Sequence, residues 1–110
     1  MIYTSYFASR KYNESIAVSI SRGTPSWFTG KEYKLLAPSR DLLNGYKLGE
    51  INDDIYTKEF NKYLSTLDAE KVYNDLDGKV LLCYEKTGKF CHRHLVAEWL
   101  INNGYDVIEL

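Results

Sequence analysis

Proline, cysteine and methionine are scarce in this 110-residue chain, at two, two and one. Two cysteines are too few for the disulfide-dense scaffold of a small secreted domain, so stability must come from an apolar core. Hydrophobic residues make up 45% of the chain, enough for one such core. Both prolines lie in Arg22–Pro38, which leaves helices and strands elsewhere free to run unbroken. No apolar run approaches the ~20 residues of a membrane span, and no signal-peptide pattern precedes the first strand. An excess of either charge is missing too: 14 Lys+Arg against 15 Asp+Glu leave a net charge of −1. The overall field therefore neither draws nucleic acid nor repels it. A nucleic-acid backbone is left only a local basic patch, whose binding would weaken with salt. There is no repeat, low-complexity segment or linker. These absences predict a single soluble domain over residues 1–110, cytoplasmic, with no membrane contact.

What is there concentrates in 79–100, KVLLCYEKTGKFCHRHLVAEWL. The apolar run Val80–Tyr84, bounded by Gly78 and Gly88, suits a strand covered on both faces, over Lys79–Lys86. A short loop, Thr87–Phe90, follows. A helix then opens on Cys91-His92-Arg93-His94, with Leu95, Val96, Trp99 and Leu100 at helical spacing and Arg93, Glu98 and Asn102 facing outward. Asn103-Gly104 supplies its left-handed stop, and Tyr105–Leu110 alternates as a final strand. A strand–helix–strand unit of this kind gives parallel strands.

In parallel α/β sheets ligands bind beyond the carboxyl ends of the strands, where helix N-termini point. Cys83–Glu85 end the strand and Cys91–His94 begin the helix, whose first turn offers free N–H groups to a phosphate or carboxylate. Leu82-Cys83-Tyr84-Glu85-Lys86, then Cys91-His92-Arg93 and a Leu-Val-Ala-Glu-Trp-Leu helix, resembles the bacterial and phage family catalogued as domain of unknown function 488. That family's pattern is a strand ending Cys-x-Glu followed by Cys-His-Arg at a helix start. The resemblance is strongest over Val80–Leu110. Earlier, Ser21-Arg22-Gly23-Thr24-Pro25 is similar to the family's strand ending Asp-Val-Arg before a proline; Arg22 matches the arginine, whereas Ile20 replaces the aspartate. The resemblance implies a compact α/β domain with a site at Arg22, Glu85 and the Cys-His-Arg corner, and attaches no reaction to it.

The rest of the chain completes the layers. Met1–Phe7 and Glu14–Ser21 read as strands, joined by a polar connection at Ala8–Asn13. Gly and Pro forbid a long helix in Arg22–Pro38, which carries Trp27-Phe28 either as a cap on the core or as a wall for a flat ligand. Ser39–Leu48 is a short helix capped by Ser39. Asn52-Asp53-Asp54 introduces a helix with Ile55, Tyr56, Phe60, Tyr63 and Leu64 on one face, and Asp68–Leu76 a third, capped by Asp68 and closed by Asp77-Gly78. The expected fold is α/β: a small three-layer sandwich of three to four mostly parallel strands with helices on the faces.

Several chemistries fit the corner. Cys91 at a helix start beside Arg93 would have a favoured thiolate, and Cys91 with Glu85 are the catalytic candidates. Adjacent helical residues point about 100° apart, however, so His92 need not reach Cys91. Cys83, Cys91, His92 and His94 offer metal donors, but zinc sites usually pair ligands two to four residues apart in two groups. No metal and no cofactor are expected. The two cysteines, eight positions apart, are not expected to form a structural disulfide, though the fold can bring them together. Arg22, His92 and Arg93 are the candidate anion holders, with Glu85 as their counter-ion and Trp27, Phe28 or Tyr84 stacking. Ten tyrosines exceed what a core needs and also fit a pocket or interface. Three functions follow: binding of a nucleotide or nucleic acid, an enzyme using Cys91 or Glu85 on such a substrate, and a phage-type module for a protein partner.

Overall fold

The computed structural model of the protein describes residues 1–85 and 90–110. Lys86 and residues 87–89 of the expected loop lie outside them. Five strands, β1 (Ile2–Tyr6), β2 (Ala17–Ser19), β3 (Lys31–Glu32), β4 (Val80–Cys83) and β5 (Val107–Glu109), form one sheet in the order β3-β2-β4-β1-β5. Every neighbouring pair is parallel. The α/β class and parallel sheet are as expected, with five strands rather than three or four. The extra strand is the two-residue β3, inside the stretch read as loop. It is too short to show a period of its own and exists because it pairs with β2.

All four residues of β4 are buried, which is why its sequence is unbroken apolar: both edges are paired and both faces covered. Period-2 alternation divides the core. Ile2, Val18, Ile20 and Leu81 face α1 (Arg40–Lys47), α2 (Asp53–Leu64), α3 (Ala69–Leu76) and α4 (His92–Asn102), packing with Phe60, Leu64, Val72, Leu76, Val96 and Leu100. Val80, Leu82 and Ala17 point the other way, against Phe7, Tyr12, Ile16 and Phe28. This third layer is built from 3-10 turns at Phe7–Ser9 and Glu14–Ile16 and from the loop after β2. The first half of the expected second strand is one of these turns, begun where Asn13 accepts from the Ser15 amide.

Helix starts follow the capping residues. The side chains of Ser39 and Asn52 accept from the amides of Leu42 and Ile55, and Asp68 accepts from Glu70 and Lys71. Replacing Asp68 by alanine is expected to lower the unfolding free energy by about 1 kcal/mol, read as a shift in urea midpoint with unchanged slope. Helix α4 stops at Gly104, whose φ of +91° favours glycine. Among the described residues no helix is long and apolar enough to cross a membrane.

Candidate functional site

The chain leaves β2 outward to β3 but leaves β4 in the other direction, past β1 to β5. Adjacent strands whose connections diverge open a crevice at their carboxyl ends, the usual ligand position in such sheets. A cavity of about 380 Å³ lies there. Its walls are Ser21-Arg22-Gly23 after β2, Cys83-Tyr84-Glu85 at the end of β4, and Cys91-His92 at the start of α4. Tyr46, Lys47, Tyr56 and Phe90 close the far side.

The β2 loop is braced from below, because Lys34 Nζ donates to the carbonyls of Ser21 and Arg22. Arg22 is half-buried; its Nε donates to the Pro38 carbonyl at 2.9 Å. That bond orients the guanidinium, and its terminal nitrogens have no acceptor among the described residues.

His92 is buried, with Nε2 2.7 Å from the Ile20 carbonyl. A carbonyl only accepts, so Nε2 carries the proton and Nδ1 keeps its lone pair. Burial, the largest influence, lowers the imidazole from 6.5 to about 4. At neutral pH His92 therefore offers a lone pair, not the positive charge expected of an anion holder. Nδ1 lies 3.7 Å from Cys91 Sγ. The contact that helical geometry argued against forms because Cys91 is the N-cap, with extended backbone (φ −155°, ψ 145°). The same conformation carries its sulfur to Cys83, and the two are joined, their Cα atoms 7.4 Å apart. In this form the Cys91 sulfur is not a free thiolate.

Arg93 departs furthest from the expectation. It is fully buried rather than outward-facing. Nε and Nη2 grip both carboxylate oxygens of Glu109 at 3.1 and 2.7 Å, and Nη1 donates to Cys83 Sγ at 2.9 Å and to the Glu85 carbonyl. Its fork is thus spent inside the protein, and its counter-ion is Glu109 rather than Glu85. Glu109 sits in phase with the half-buried Val107 on β5; a glutamate on the inward phase of YDVIEL was the available signal. The Glu85 side chain is exposed at the cavity wall.

The aromatic candidates divide. Tyr84, 51% exposed, lines the cavity and also meets Phe7 at 5.1 Å. Trp27 and Phe28 pack on Phe7 on the opposite face of the sheet and do not line the cavity. Trp27 carries the Arg10 guanidinium 3.9 Å above its ring. The rings at the site are instead Tyr46, Tyr56 and Phe90, mutually 5.2–5.4 Å apart. Tyr46 and Tyr56 lie on α1 and α2; an excess of tyrosine was their only trace in the sequence.

Burial raises the Tyr56 hydroxyl well above its usual 10. Above that pH the unfolded chain loses a proton that the folded one keeps, so stability is complete below pH 10 and falls as pH rises. Tyr56→Phe is expected to make the alkaline fall in unfolding free energy shallower, by up to about one proton's slope. Denaturant titrations across pH 9–11 check it.

Comparison with known proteins adds one match. The family model DUF488-N3a, described as the active DUF488-N3 subclade, covers residues 2–104. No curated protein and no solved structure matches. Cys83, Glu85, Cys91 and His92 meet here at one crevice, and over nearly its whole length the chain belongs to the domain of unknown function 488, in its DUF488-N3a subclade.

Proposed function

We propose that the crevice binds a phosphate-bearing ligand of nucleotide type, free or within a nucleic acid. The observation that carries this reading is the oriented Arg22 guanidinium at the diverging ends of β2 and β4. Lys47 adds a second cation to the wall, and the N-terminus of α4 adds about half a positive charge. The cavity is of small-ligand size, ~300–1,000 Å³ being usual. The Tyr46–Phe90 pair and Tyr84 give a base an aromatic surface, and Glu85 can accept from a ribose hydroxyl or an exocyclic amine.

A thermal-shift series with nucleoside mono- and diphosphates and short oligonucleotides tests the reading. Ligand at 100 times its Kd should stabilise by about 2.7 kcal/mol, a Tm rise on the order of 10 °C for a domain this size. Arg22→Ala should weaken binding by roughly 10–100-fold, the worth of a charge-assisted hydrogen bond. Millimolar ligands that leave Tm unmoved, or an unchanged response in Arg22→Ala, would end the proposal.

A further inference from the structure

The same corner holds an arrangement that phosphate binding does not use. The donor atoms of Cys83, Cys91 and His92 all lie within 4.8 Å of one another, and all three residues are buried. We propose that these residues form a three-ligand site for a thiophilic divalent cation of the zinc class, its fourth position open to the crevice.

Four observations support it. First, His92 presents Nδ1 as a fixed lone pair, because Nε2–H is held by the Ile20 carbonyl. A backbone carbonyl orienting the far nitrogen of a metal-binding imidazole is the usual supporting contact. Second, Nδ1 and Cys91 Sγ stand 3.7 Å apart. Zinc bond lengths of 2.0–2.3 Å put tetrahedral ligand atoms roughly 3.3–3.8 Å from each other. Third, the Arg93 guanidinium donates to Cys83 Sγ and so holds that sulfur in place, as contacts behind a ligand atom do. Glu109 neutralises that arginine, so its charge does not oppose an incoming cation. Fourth, three protein donors of the Cys2His type with an open side match a zinc site that exchanges its fourth ligand, and the open side is the cavity.

Loading needs the two sulfurs free. A dithiol reductant supplies two electrons and two protons to Cys83 and Cys91 while closing its own thiols into a disulfide. The metal then displaces two thiol protons into solvent. The 7.4 Å between the two Cα atoms leaves room for separated sulfurs with an ion between them. Chain spacing argued against a metal because it counts residues, whereas the parallel sheet brings the end of β4 and the start of α4 to one point. The inference stands whether or not the crevice takes a phosphate.

The full chain tests it after reduction with a dithiol, removal of the reductant under argon and titration with cobalt(II). The expected result is one cobalt per folded chain, with the strong visible bands of tetrahedral geometry, thiolate charge transfer in the near ultraviolet and two protons released. Equimolar zinc should bleach the spectrum. Cys91→Ser keeps a good helix N-cap and Cys83→Ser a partner for Arg93; each should weaken cobalt binding at least tenfold, as should His92→Gln. The proposal is overturned by any of three results: reduced, folded wild type without thiolate charge transfer, variants that bind as wild type does, or a pair that stays oxidised in excess dithiol. If a variant does not fold by circular dichroism, the wild-type spectrum and proton count decide alone.

Discussion

Glu109→Ala is expected to destabilise the protein by about 3–5 kcal/mol, a large share of the 5–15 kcal/mol that holds a typical domain together. Arg93 is fully buried and Glu109 supplies both acceptors for its fork. Without the carboxylate, the guanidinium keeps, among the described residues, the Cys83 sulfur, the Glu85 carbonyl and the Tyr6 ring 5.9 Å away, too little for a charge out of water. Thr4, whose hydroxyl donates to Glu109 at 2.5 Å, loses its acceptor as well. The reverse change is milder. Glu109 is one-quarter exposed and can rehydrate in Arg93→Met, where the methionine fills most of the vacated volume. Urea unfolding of both variants checks the order. A loss below about 1 kcal/mol for Glu109→Ala would show that the pair contributes little. Arg93→Met should also keep its thermal response to nucleotides where Arg22→Ala loses it, since Arg93 does not face the crevice.

Phe60→Ala should cost a similar amount, about 3–5 kcal/mol. The ring is 1% exposed and packs against Tyr56 at 6.0 Å, Tyr63 at 6.1 Å and, edge to face, His92 at 5.6 Å. Truncation removes the burial of a whole ring and leaves a void between α2 and the start of α4. Phe60→Leu should retain most of the stability, within about 1.5 kcal/mol. The site should register the void too. With the ring gone, the His92 imidazole loses an edge-to-face neighbour and keeps the Ile20 carbonyl as its hold, so cobalt binding by the reduced protein should weaken even in Phe60→Leu. Unfolding midpoints that match wild type in Phe60→Ala would mean that the core closes over the gap.

How far the sequence could be read depends on how local each interaction is. Asn52, Ser39 and Asp68 announce their helices because each bonds an amide two or three residues ahead. The apolar run of β4 announces a strand paired on both edges. Glu85 stands eight residues before Arg93, and their expected meeting at the corner of strand end and helix start made it the counter-ion; the actual partner, Glu109, arrives through β5, sixteen residues on. Trp27 and Phe28 follow a strand that ends at the crevice, yet the loop turns them onto the other face, where Phe7 leaves apolar surface to cover.

The order of amino acids by itself determined the class of fold, the helix ends and the corner at Cys83–Glu85 and Cys91–His94. Hydrogen bonds and periodicities within four residues are enough for those. Tertiary structure alone decided that Arg93 turns inward, that burial keeps His92 neutral while a carbonyl 72 residues away holds its Nε2–H, and that tyrosines of α1 and α2 wall the crevice. Those outcomes depend on which strands become neighbours, and strand order is set by burying two sheet faces at once, a sum over the whole chain that no short stretch carries.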